Sequence, residues 1–170
     1  MKLYHAGPEV IRFPDVHRGR KNADFGPGFY LTPDPAFARR WARKDSVINE
    51  YELDTEGLVI RRLDRDENWF RYIFGNRRGE DTLAADVIIG PIANDTIFDT
   101  LGIVTSGFLA ADQAVRLLSI GPEYTQAAVK TEKAARQLRW IGAEAAGEAE
   151  DHTAEEEAFM EQFAAILTEE

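Results

Sequence analysis

"FGPGFYLTPDPAFARRWARK", residues 25–44, packs a loop, a strand and a helix into one short run. Gly26, Pro27 and Gly28 break regular structure. "GFYLT" is β-prone and reads as a strand. Thr32 or Asp34 then offers a cap for the helix "PAFARRWARK", in which Phe37 and Trp41, four apart, share one face. Tyr30 and Trp41 stand eleven residues apart, just after the backbone-permissive loop. A tyrosine in a strand and a tryptophan on an amphipathic helix are ordinarily core. The other reading is a slot built to hold a flat ring.

Working outward, "KLYH" reads as a first strand and "VIRFP" as a short extended piece ended by Pro14, followed by the polar loop "DVHRGRKNADFGPG". "SVINEYELD" alternates Val47, Asn49, Tyr51 and Leu53 against Ile48, Glu50, Glu52 and Asp54, the pattern of a half-buried strand. "LVIRRL" continues the β pattern after Glu56-Gly57. "DENWFRYIFGNRRG" shifts to helical period, with Trp69, Phe70, Ile73 and Phe74 on one face and Gly75 or Gly79 to end it. "DVIIGPIAND" is an apolar strand stopped by Gly90-Pro91. "GFLAADQAVRLLSIG" is a helix with Leu109, Val115 and Leu118 as core contacts. "TQAAVKT" is a strand, "EKAARQL" a helix capped by Thr131, and "RWIGA" an edge strand. Strands and helices mix without a βαβ rhythm, so the expected class is α+β. There is no internal repeat and no glycine-rich phosphate fingerprint.

The chain of 170 residues fits one domain with an appendage. It has no cysteine, which excludes disulfides, thiol nucleophiles and cysteine-zinc sites. Its three histidines (His5, His17, His152) are scattered, so no metal is expected. No signal-like or membrane-length apolar run occurs, and the expectation is a cytoplasmic protein without a membrane partner. The net charge of −10 is localised: residues 1–142 hold all 20 Lys and Arg and 20 of the 30 acids, and residues 143–170 hold the other 10 acids. That asymmetry divides a body, 1–142, from an acidic tail, 143–170. Within the tail, "GAEAAGEAEDH" reads as mobile. "TAEEEAFMEQFAAILTEE" has a Thr153-to-Glu156 capping box and an apolar stripe of Phe159, Met160, Phe163, Ile166 and Leu167, an amphipathic helix needing a surface. Such a tail could restrain the body by covering its basic clusters.

"LYHAG", "DFGPGFYLTPDPAFARRWA", "NWFRYIFGNRR", "DVIIGPIAND" and "TQAAVKTEKAARQL", in that order, resemble a bacterial family of unknown function, DUF3990. That family is similar to ADP-ribosyltransferases of the diphtheria-toxin and poly(ADP-ribose) polymerase type. The resemblance covers roughly residues 2–141 and implies a split β-sheet core with flanking helices that binds NAD as co-substrate. It implies that His5 bonds a ribose hydroxyl, that the backbone at Ala6-Gly7 grips the carboxamide, and that Tyr30 and Trp41 clamp nicotinamide. Phe25, Gly26 and Gly28 would shape the loop over the cofactor. At the third motif Gln126 stands where many relatives carry a catalytic Glu. A carboxylate there stabilises the oxocarbenium-like sugar; Gln supplies a hydrogen bond but no charge and cannot act as a base. Glu123 or Asp95 could offer the missing carboxylate, Arg77 could pair with the pyrophosphate, and Asn76 and Asn94 belong to the same motifs. Asn76-Arg77 could equally cap a helix, and Asn94-Asp95 could start one.

The expected activity is mono-ADP-ribosyl transfer to a protein or nucleic-acid acceptor, as the toxin half of a toxin–antitoxin or defence pair with an antitoxin partner. A catalytically degenerate module that holds NAD or ADP-ribose, and an NAD glycohydrolase, remain as alternatives.

Overall fold

The computed structural model describes residues 1–93, 111–147 and 153–168, which hold seven strands and five helices. Strands β1 (Lys2–Gly7), β3 (Val47–Leu53) and β7 (Leu138–Ala145) form an antiparallel sheet in the order β1-β3-β7. A second sheet runs β2 (Phe29–Leu31), β6 (Thr125–Val129), β5 (Val87–Pro91), β4 (Ile60–Arg62); its pairs are antiparallel except β4 with β5. The sheets meet where Tyr4 and Thr32 exchange backbone hydrogen bonds of 2.8 and 2.9 Å. The chain is a mixed α+β protein with two sheets.

The central strands β5 and β6 are buried on both faces, which is why they read as near-continuous apolar runs, while edge strand β4 exposes Arg61 and Arg62. Val87 and Ile89 of β5 face the three-stranded sheet with Leu31, Tyr51 and Leu53. Ile88 faces the other way, against Trp69 and Ile73 of α2 (Glu67–Arg77) and Leu117 of α3 (Ala111–Leu118). In β6 the same alternation sends Ala127 and Val129 to one core and Ala128 to the other. Gln126 shares the face of Ala128, since alternate strand residues point the same way. Tyr30 lies directly across from Ala128 and packs on that helical side. Strand register alone therefore puts Tyr30 and Gln126 on one face.

Side-chain caps fix the helix starts. Asp34 accepts from Ala36 N (2.9 Å) to begin α1 (Pro35–Trp41), and Asp66 accepts from Trp69 N (2.8 Å) to begin α2. Thr131 accepts from Ala134 N (3.2 Å) to begin α4 (Glu132–Gln137), as the sequence implies. Thr32, the alternative cap, donates its hydroxyl to Thr125 O instead (2.8 Å). Helix α2 passes through Gly75 and ends at Arg77, with Gly79 following at φ 88°.

"VIRFP" is not a strand. Its backbone bonds to side chains of β3: Ile11 N donates to Asn49 Oδ1 (3.0 Å) and Tyr51 Oη donates to Ile11 O (2.5 Å). Side-chain partners, not a strand ladder, hold this short piece. β7 is the expected edge strand, and it runs through Gly142 to Ala145, opposite Val47. The tail helix α5 (Thr153–Thr168) packs Phe159, Phe163 and Ile166 against the helical-side core. Asn94, Asp95 and Leu109, and the side chains of Thr153 and Leu167, lie outside the described residues. Among the described residues no helix is long and apolar enough to cross a membrane.

Trp69 joins α2 to β5: it is fully buried, and its Nε1 donates to Pro91 O at 2.9 Å. Trp69→Phe strips that buried carbonyl of its donor and should cost about 1–3 kcal/mol, with the small void adding to it. Urea unfolding should show a lower midpoint; an unchanged midpoint would mean that the carbonyl finds another donor.

Candidate functional site

A cleft of about 1010 Å³ opens where β1, β2, β6 and α1 converge, and His5, Ala6, Tyr30, Trp41 and Gln126 all line it. His5 of β1 and Gln126 of β6 belong to different sheets and reach the same cleft through β2, which pairs with β6 and is followed by Thr32, bridged to Tyr4 of β1.

His5 is held by its own strand neighbour. Its Nδ1 lies 2.7 Å from Tyr30 O, where it donates, so in the neutral ring Nε2 is left as an acceptor. Burial pushes its pKa below the ordinary 6.5, against the opposing pull of the Tyr30 carbonyl, and the ring is neutral at pH 7. Gly7 makes room for it, because a Cβ there would sit 3.0 Å from His5 Nε2.

Tyr30 is anchored through its hydroxyl, which accepts from Phe25 N (2.9 Å) and donates to Gly26 O (2.6 Å). Burial raises its pKa, keeping the phenol protonated. Gly26 has φ 74°, and a Cβ there would meet Asn76 Oδ1 at 2.9 Å, so the turn that receives the hydroxyl needs glycine. Lys130 latches the same turn by donating to Phe25 O and pairing with Asp81. Phe25 itself is fully buried core. Gly28 lines a second hollow of about 800 Å³ together with His5 and Tyr30.

Trp41 ends α1 and is 47% exposed, so the site side chain that resembled core most is not core. It lies 5.0 Å from Phe37, which stacks on Tyr124 at 4.2 Å and 15°. These three rings make an aromatic wall, of which the sequence reading found only Trp41 as a site residue. Tyr124 sits two residues before Gln126, and that adjacency was the available signal.

Sequence reasoning also missed Asp24, a buried carboxylate on the cleft lining. Its Oδ1 accepts from Arg77 Nε (2.9 Å) and Nη2 (2.6 Å); its Oδ2 accepts from Gln126 Nε2 (2.9 Å) and Ala93 N (3.1 Å). Arg77 thus pairs with Asp24 and is not among the residues that line the cleft. Asn76 is buried and donates to Asp24 O and Tyr72 O, both at 3.1 Å. Glu123 pairs with Arg65 at 3.7 Å. The cations on the cleft are instead Arg20, Arg40, Arg43 and Arg65. Among the described residues no group of three or more His, Cys, Asp or Glu could hold a metal ion.

Helix α5 lines part of the cleft. Glu155, Glu156, Phe159 and Met160 line the cleft, and Glu155 Oε2 is 2.5 Å from Arg40 Nη2.

Residues 1–140 match the family described as "Protein of unknown function (DUF3990)", and the chain belongs to that family. Comparison with curated proteins gives no match.

Reversing the α5 contact should open the mouth. Glu155→Lys sets two cations against each other in place of a partly exposed pair worth up to about 1 kcal/mol. Acrylamide should then quench tryptophan fluorescence more strongly through Trp41, while buried Trp69 stays silent. Equal quenching in both forms would show that apolar packing alone holds α5 in place.

Proposed function

We propose that the protein transfers ADP-ribose from NAD to a macromolecular acceptor, on an ADP-ribosyltransferase-like fold. The observation that carries this reading is the convergence of His5, Tyr30, Trp41 and Gln126 on one cleft. The resemblance of the sequence to ADP-ribosyltransferases picks out the same four residues by motif. The cleft volume reaches the upper end of small-molecule sites, enough for a dinucleotide.

In this reading Tyr30 and the Trp41 wall hold the nicotinamide ring, with stacking and cation–π contacts worth roughly 0.5–2 kcal/mol each. His5 Nε2 accepts from a ribose hydroxyl. Arg20, Arg40 and Arg43 face the pyrophosphate in place of Arg77. The C1′–N bond breaks with its electron pair leaving on nicotinamide, and the acceptor nucleophile bonds to C1′, any proton it carries passing to water. Gln126 meets the sugar as positive charge develops on it. The acceptor is a protein or nucleic acid, and a cytoplasmic toxin kept in check by an antitoxin is the biological setting that the resemblance suggests.

The α5 helix would then limit access of NAD to the cleft, and Glu155→Lys should raise turnover as well as quenching.

Trp41→Ala is the variant that tests the slot, because Trp41 is half-exposed and bears little of the core. Adenylate-labelled NAD with bacterial lysate should give nicotinamide release and labelled macromolecule. Calorimetry should show NAD binding weakened from about 2-fold to about 30-fold in the variant, the equivalent of one lost stacking contact. Release without labelled macromolecule would instead favour an NAD glycohydrolase, and binding without release a degenerate NAD-holding module. If NAD does not bind at all, the proposal fails.

A further inference from the structure

The third motif lacks its carboxylate, yet a carboxylate lies directly behind it. Asp24 sits one hydrogen bond from the Gln126 amide, 2.9 Å from Nε2. That bond decides which end of the amide is free. The NH₂ end is spent on Asp24, and no donor among the described residues reaches Oε1 of Gln126, a residue on the cleft lining. Asp24 cannot easily turn away. Arg77 holds its other oxygen through two bonds, and Ala93 N shares the oxygen that Gln126 uses.

We propose that Asp24, fixed by Arg77, is a positioning residue that turns Gln126 so that its carbonyl oxygen presents to the cleft in place of a catalytic carboxylate. This rests on the transferase reading above. An anion on the N–H side of an amide polarises it, because linked hydrogen bonds strengthen one another in a low-dielectric setting. Electron density shifts onto Oε1, and that oxygen is preorganised to face positive charge developing on the ribose. Gln126 cannot take a proton, so acceptors that bring an anionic or already activated nucleophile are the class this site suits. The negative charge usually carried by the third motif is here set one residue deeper, where Arg77 balances it.

The arrangement predicts a sign that a merely structural bond would not give. Gln126→Glu alone sets two carboxylates at hydrogen-bond distance and should lower nicotinamide release at saturating NAD by tenfold or more. Asp24→Asn alone puts an amide in place of the carboxylate. That amide can donate to Gln126 and flip its carbonyl inward, which should lower release similarly, with NAD affinity within about threefold of the parent. Asp24→Asn combined with Gln126→Glu restores one donor and one carboxylate with the charge facing the cleft, and release should recover to within about threefold of the parent or exceed it. If Asp24→Asn fails to fold because Arg77 loses its partner, the double variant carries the same lesion, and Gln126→Glu against the parent is the test, a tenfold or greater fall in release supporting the proposal. Recovery in the double variant supports the proposal. Gln126→Glu as active as the parent, or a double variant no better than Gln126→Glu, overturns it while leaving the transferase reading standing. A parent protein that releases no nicotinamide overturns that reading and this inference together.

Discussion

The Asp24 carboxylate is the constraint on which the site depends. Four residues from three parts of the chain donate to it or to its backbone: Arg77 and Asn76 from α2, Ala93 just past β5, and Gln126 from β6. A buried carboxylate is costly unless its lone pairs are filled, and here both oxygens are. Removing any one donor leaves the others holding an under-satisfied anion, so the network fixes geometry as a unit. It also ties the loop before β2 to the helical layer. The same loop carries Phe25 and Gly26, which receive the Tyr30 hydroxyl. The loop that carries Asp24 thus holds both Gln126 and Tyr30, the first through the carboxylate and the second through the backbone of Phe25 and Gly26.

Most of the fold was legible because its elements announce themselves locally. Asp34, Asp66 and Thr131 each begin a helix as caps, and the alternation in "VINEYEL" and the apolar run "VII" mark strands with one and two buried faces respectively. Tyr30 and Gln126 were singled out by motif, and register explains why they share a face on the cleft. What the sequence hid is non-local. Nothing in "KNADFG" tells that Asp24 meets a residue 102 positions later, and "NRR" looks like a helix end until Arg77 is seen turned inwards. The anchoring of "VIRFP" is hidden for the same reason: Asn49 and Tyr51, forty positions away or nearly so, hold it.

The charge pattern was read correctly in its sum and incompletely in its use. The acidic tail places Glu155 against Arg40. Exposed ion pairs contribute little, about 0–1 kcal/mol, so they do not hold a helix in place by themselves. The packing of Phe159, Phe163 and Ile166 on the helical-side core supplies the attachment. The acids then determine which surface the helix covers, because the cleft is where arginines cluster.

That division of labour bears on what could move α5. Apolar packing is indifferent to an anion, but the pairing of Arg40 with Glu155 is not. An anionic ligand entering the cleft would compete for Arg40, and it would also face the repulsion of Glu156 on the same lining. Binding and covering are therefore coupled through one guanidinium. By linkage, whatever shifts α5 must raise affinity for the anion by the same factor that the anion loosens α5. The acidic segment need not block the cleft completely to matter: it needs only to make its arginines more expensive to reach.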